Sequence, residues 1–162
     1  MIENVVKVGM ADMQVLKHPG MLTTLGLGSC VGVAIYDLTT KTIGLAHIML
    51  PDSNAAVNAS NIYKFADTAI DKMVEEMIAL GAKKSSMVAK VAGGAQMFSF
   101  SNSNDIMRIG ERNTLSVKQK LKEHGIRIVA EDTGGNYGRT IEFYSDDGRL
   151  IVKTIGKGIK QI

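Results

Sequence analysis

The chain has 162 residues, 45% of them apolar and 22% charged, with a formal net charge of +3. That length suits one domain with a substantial core, and that composition is ordinary for a soluble globular protein rather than a disordered or membrane-spanning one. The charge is too small, the lysines too scattered and the aromatics (four Phe, four Tyr) too few for a nucleic-acid-binding stripe, and a single cysteine excludes an intramolecular disulfide and any CxxC zinc site.

The opening stretch, MIENVVKVGMADMQ, has no basic segment followed by an apolar one, so it does not read as a secretory leader. No window reaches the run of about 18 apolar residues that a membrane span needs. A reducing, cytoplasmic setting without membrane insertion is expected, with residues 1–162 as one domain. His18 falls in KHPG, a turn sequence.

Residues 23–37, TTLGLGSCVGVAIYD, carry the one cysteine, Cys30. Gly26, Gly28 and Gly32 do not form a dinucleotide fingerprint, because GxGxxG needs glycine at position 31, where the chain has Val31. The β-branched run after Cys30 also reads as a strand, not as the helix whose N-terminus would hold a pyrophosphate. No GxxxxGK[ST] occurs. Two local readings stay open. Gly28 shapes a tight turn that presents Cys30, with amides near Ser29 and Cys30 able to hold an oxyanion; or it marks a β-bulge beside a buried cysteine.

VGVAIYD and TIGLAHIML, separated by LTTK, predict a β-hairpin over residues 31–50, ended by Pro51. His47 lies in the second strand, in an apolar run where an imidazole needs a partner. With the turn between residues 38 and 41, the residue opposite Cys30 falls between 46 and 52. Cys30 and His47 therefore reach the same end of the hairpin. A thiol of ordinary pKa, about 8.5, needs such a base to act as a nucleophile at neutral pH. A core histidine bonded to backbone is the other reading. Asp37 belongs at the far, turn end. Thr24 is better placed to orient the imidazole, since it lies six residues before Cys30, an even spacing that keeps both side chains on one face of an extended segment. Thr23 and Thr24 as plain strand residues is the competing account.

DSNAAVNAS follows as a polar loop, with Ser60 or Asn61 as a helix cap. Ile62, Phe65, Ala66, Ala69, Ile70, Met73, Met77 and Leu80 then recur every three or four residues, which predicts an amphipathic helix stopped by Gly81. Its methionines suit core filling. SSMVAKVAGG predicts a strand, and residues 111–124 a second helix capped by Gly125. His124, at its end, suits the helix dipole. IRIVAED, RTIEFYS and RLIVKTI complete the strands, the last two joined through DDG. Many hairpins and only two substantial helices argue for an α+β protein, a mixed sheet with helices on one face.

LGLGSCVGV, then AHIMLPDS with its histidine 17 residues after the cysteine, resembles the CheD family of chemotaxis proteins. KFADTAI, VAGGAQMF, IGERN and EDTGGNYGRTIEF are similar to that family's later blocks in the same order, so the resemblance covers nearly the whole chain. Arg108 and Phe65 depart from the family pattern, away from the proposed chemistry. The resemblance implies a three-layer α/β/β sandwich of mixed sheets with two main helices on one face. It implies a chemoreceptor glutamine deamidase whose triad is Cys30, His47 and Thr24. It also implies two partners, the cytoplasmic domains of methyl-accepting chemoreceptors and the phosphatase CheC. On the tight-turn reading of this segment, Ser29 and Gly28 are the candidates for the oxyanion and substrate-binding position. Acyl transfer through a cysteine thioester needs neither metal nor organic cofactor, and the same steps would hydrolyse a glutamyl methyl ester.

GGAQMFSFSNSN sets Met97, Phe98 and Phe100 among polar residues, as a partner surface or as a loop tucked onto the core. Arg139, in DTGGNYGR, is a second rim candidate, which a glycine-rich turn explains equally well. The alternative function is a non-catalytic regulatory module binding CheC and the receptors. A thiol redox sensor would need a second, resolving cysteine, which the chain lacks.

Overall fold

The structure is a computed structural model that describes residues 4–55, 60–96 and 108–162. One five-stranded sheet runs β1 (Val5–Lys7), β3 (Met21–Leu27), β8 (Arg139–Tyr144), β9 (Leu150–Thr154) and β10 (Gly158–Gln161), side by side in that order. The other runs β2 (Met13–Lys17), β5 (Thr42–Ile48), β4 (Val31–Asp37), β6 (Met87–Gly93) and β7 (Arg127–Thr133). Both sheets are mixed, since β1 pairs with β3 and β6 with β7 in parallel while the other pairs are antiparallel.

Every residue of β4 and β5 is buried, which requires cover on both faces of their sheet. Alternation decides what each face meets. Val31, Val33 and Ile35 pack with Ala69, Ile70, Met73, Val117 and Leu121 of α1 (Ala66–Ala79) and α2 (Ile109–Glu123). Ala34, Tyr36, Ile43 and Leu45 pack instead with Leu22, Ile141, Phe143 and Val152 of the other sheet. Helices, sheet and sheet thus form the three layers of an α+β sandwich, with both helices on one face. Among the described residues, no helix is long and apolar enough to cross a membrane.

The hairpin, both helix ends and the six later or central strands fall where the sequence places them. α1, however, starts at Ala66, not near residue 61. The Lys64 carbonyl accepts the N–H groups of both Met49 and Leu50, and the Ala66 N–H donates to the Leu50 carbonyl. These bonds draw residues 62–65 out beside the end of β5, so Ile62 is left exposed outside the helix. Neither Ser60 nor Asn61 caps the helix, whose N-cap position is Phe65 with no side-chain cap bond; the Asn61 side chain instead accepts from the Tyr63 N–H in a turn ahead of it. At the other ends, Gly81 and Gly125 adopt positive φ. Each closes a six-residue loop in which the next residue, Ala82 or Ile126, donates back to Met77 or Leu121.

Phe143 is fully buried between the sheets, and its ring meets Tyr36 edge-on with centroids 5.7 Å apart. Phe143→Ala is expected to lower unfolding free energy by about 3–5 kcal/mol, read from the urea midpoint at constant slope.

Candidate active site

β3 and β4 belong to different sheets, so residues 28–30 carry the chain from one layer to the other. Cys30 ends that crossing, immediately before β4. The register pairs Val31 with Ile48 and Gly32 with His47. Met49 therefore falls opposite Cys30, with His47 one diagonal step away on the face turned toward the other sheet. Thr24 reaches the same layer from β3. A bulge between Thr24 and Leu27 lets both side chains point inward. The even spacing of Thr24 and Cys30 is thus not what brings them together: no continuous extended segment joins them, and they enter the site from opposite sheets.

A hydrogen-bond chain through Thr24 crosses the interface between the sheets. Thr24 Oγ1 lies 2.7 Å from the Val8 carbonyl oxygen and 2.7 Å from His47 Nδ1. The carbonyl can only accept, so the hydroxyl donates its single proton there and accepts from Nδ1–H with a lone pair. That selects the tautomer in which Nε2 carries the free lone pair. Nε2 is buried and has no hydrogen-bond partner among the described residues. His47 is only 1% exposed, and burial holds its pKa below the ordinary value. Cys30 is 8% exposed, and burial pushes its thiol up, partly offset by its own backbone N–H. Burial thus favours the neutral thiol and the neutral imidazole, and among the described residues no hydrogen bond joins Cys30 to His47 Nε2.

The turn carrying Cys30 is braced from outside. The Ala95 N–H donates to the Gly28 carbonyl at 2.9 Å, and the Gly94 N–H to the Cys30 carbonyl at 2.9 Å. Asn113 of α2 donates from Nδ2 to the Ser29 carbonyl at 3.0 Å and to the Met49 carbonyl at 3.0 Å. Gly93 must be glycine for this approach, since its φ is 107° and a Cβ would sit 2.4 Å from the Cys30 carbonyl oxygen. Gly28's own N–H is occupied by the Gly26 carbonyl, so Gly28 contributes the shape of the turn rather than a free amide. Sequence reasoning missed Val8 and Asn113. Val8 acts through its main chain and leaves no side-chain signal. Asn113 did leave one, a carboxamide on the buried stripe Gly110, Asn113, Val117 and Leu121.

The other candidates fall elsewhere. Met97, Phe98 and Phe100 lie outside the described residues. Arg139 is not at the rim: it is 2% exposed, and its Nε donates to Asp132 at 3.2 Å. His18 Nδ1 bonds Ser145 Oγ, and His124 Nε2 bonds Asp71; both are remote from Cys30 in the fold. Among the described residues, no three His, Cys, Asp or Glu side chains gather as a metal-ligand set.

A family model described as CheD chemotactic sensory transduction matches residues 49–154. A curated relative from Caldanaerobacter subterraneus subsp. tengcongensis, named "Probable chemoreceptor glutamine deamidase CheD", is 60% identical over 162 residues, 100% of each chain. One of the same name from Lachnoclostridium phytofermentans is 56% identical, covering 97% of this chain and 98% of its own. "Chemoreceptor glutamine deamidase CheD" of Halalkalibacterium halodurans is 53% identical, covering 99% and 100%. A solved structure, that of Bacillus licheniformis hypothetical protein YfiH, aligns at TM-score 0.45 and 15% identity, covering 75% of this chain and 50% of that chain. That likeness is too distant to bear on function.

Two buried neutral groups make stability depend on pH at both ends. Below about pH 6.5 the unfolded chain protonates His47 while the folded chain resists, so acid favours unfolding. Above about pH 8.5 the unfolded chain ionises Cys30 while the folded chain resists, so alkali does the same. Urea midpoints should therefore peak between these limits, and Cys30→Ala should lose less stability than wild type as pH rises from about 8 to about 10.

Proposed function

The chain belongs to the CheD family of chemoreceptor glutamine deamidases, and from that premise we propose that Cys30, His47 and Thr24 carry out the conversion of receptor glutamine side chains to glutamate. The observation that supports this assignment most directly is the buried bond between Thr24 Oγ1 and His47 Nδ1. It leaves Nε2 as an unpartnered base on the face that also carries Cys30.

The steps follow from that protonation state. The Cys30 thiol gives its proton to His47 Nε2 as sulfur attacks the glutamine amide carbon. The carbonyl oxygen takes negative charge and is held by backbone amides at Ser29 and Cys30. The imidazolium returns its proton to the leaving nitrogen, the C–N bond breaks, and ammonia departs from a thioester. His47 Nε2 next takes a proton from water, whose oxygen attacks the same carbon. The C–S bond then breaks, the thiolate recovers the proton, and glutamate is released. Thr24 changes no bond. It keeps Nδ1 protonated and the ring oriented, the task a carboxylate performs in other triads.

The substrate would be the cytoplasmic part of a chemoreceptor, with CheC a second partner and the cytoplasm the compartment, where a thiol nucleophile stays reduced. Exposed Met10 and Leu25 flank a cavity of about 240 Å³ lined in part by Val8 and Thr24. They offer apolar contact to a receptor segment beside Thr24.

Purified receptor cytoplasmic fragment, incubated with the protein and mapped by peptide mass spectrometry, tests the assignment. Glutamine-to-glutamate conversion should vanish with Cys30→Ala and fall about 10²–10⁴-fold with His47→Ala. The acid limb of kcat/KM should lie below the ordinary histidine value of about 6.5, because burial depresses His47. Undiminished conversion by Cys30→Ala would refute the nucleophile. Receptor or CheC regulation that survives in Cys30→Ala without conversion would favour the non-catalytic module.

A further inference from the structure

Asn113 has no place in the triad, yet it is fully buried and touches the site through its backbone. Its two N–H bonds are satisfied by the Ser29 and Met49 carbonyls, while its Oδ1 is buried without a partner among the described residues. An orphaned buried acceptor costs stability and asks for a reason. The orientation itself is forced: turning the amide over would set Oδ1 against two carbonyl oxygens.

The reason lies in the peptide that Asn113 grips. The Ser29 carbonyl and the Cys30 N–H belong to one peptide unit, which is trans, so the two groups point in opposite directions. Asn113 holds the carbonyl toward α2 and thereby turns the Cys30 N–H away from the helices, toward the face that carries Cys30 Sγ and His47. Of the three carbonyls in residues 28–30, those of Gly28 and Cys30 are held by main-chain donors, and only that of Ser29 is held by a side chain. The second bond, to Met49, ties this peptide to the residue opposite Cys30 on the His47 strand.

We propose that Asn113 is a positioning residue that sets the Ser29–Cys30 peptide with its N–H facing the reacting carbon, so that the oxyanion hole is formed before substrate arrives. Without it, the peptide is free to rotate and present a carbonyl oxygen to the developing negative charge. The inference rests on Cys30 being the nucleophile.

The test separates the hole from the nucleophile. In Asn113→Ala and the near-isosteric Asn113→Leu, each checked for folding by circular dichroism, kcat for receptor-fragment deamidation should fall about 10²–10³-fold, with KM little changed. Alkylation of Cys30 by iodoacetamide forms no oxyanion, so its rate and pH profile should match wild type. Wild-type kcat in either folded variant overturns the proposal. So does a loss of alkylation rate equal to the loss of kcat, which marks a general loosening of the turn. A measurement on wild-type protein needs no variant: a glutamine-derived peptide aldehyde adds the Cys30 thiol across its carbonyl, and the Cys30 amide proton should move downfield as it bonds the new oxygen. An unmoved Cys30 amide overturns the proposal. Absence of glutamine conversion by wild type would remove the reading of the whole site, a failure distinct from one confined to Asn113.

Discussion

A threonine hydroxyl between a carbonyl and an imidazole is the contact on which the rest of the site depends. Val8, Thr24 and His47 come from three separate segments, and the chain of bonds they form runs from one sheet to the other through a layer otherwise filled by Leu22, Leu45, Ile141 and Phe143. In such surroundings each polar group must find a partner or destabilise the fold. The Thr24–His47 bond exists only when the two sheets are packed at the right separation. Sheet packing and base orientation are thus one constraint.

The segment before β2 contributes to the same constraint. The Val8 N–H donates to the Thr23 carbonyl in one sheet, while Ala11 and Asp12 exchange hydrogen bonds with His47 in the other. Residues 8–12 therefore fasten both sheets around the imidazole. The opposite side is fastened by Gly94, Ala95 and Asn113, which hold the carbonyls of the cysteine turn. Rigid support on both sides surrounds two groups that rest uncharged, because burial disfavours both the thiolate and the imidazolium. A site of this kind relies on preset geometry more than on a standing charge.

Legibility followed the range of the interactions involved. The β4–β5 hairpin was readable because its turn and both strands are contiguous, and the register fell inside the window that the turn allowed. The helix ends at Gly81 and Gly125 were readable because a C-cap is a local motif. The start of α1 was not, because it is set by bonds to Met49 and Leu50, well back in the chain. β1, β2, β3 and β10 were absent from the pattern reading. β1 and β10 are short and mostly exposed, and β3 combines a buried stretch with a bulge that breaks its alternation. Without β3, periodicity supported one mixed sheet, and the second sheet was implied only by the family resemblance.

For the site, the residues alone supplied the uniqueness of Cys30, the odd placement of His47 in an apolar strand, and Thr24 as a candidate orienting hydroxyl, chosen on a spacing argument that the fold does not use. Those are facts of composition and of contiguous chain, where spacing along one hairpin limits what can meet. Tertiary structure decided everything that passes between layers: that Thr24 meets His47 from the opposite sheet, that the Val8 carbonyl fixes the tautomer, that Arg139 is buried rather than exposed at a rim, and that Asn113 grips the cysteine turn. Hydrogen bonds between separate layers carry no fixed sequence spacing, because their geometry is set by how the sheets and helices pack and not by the path of the chain between them.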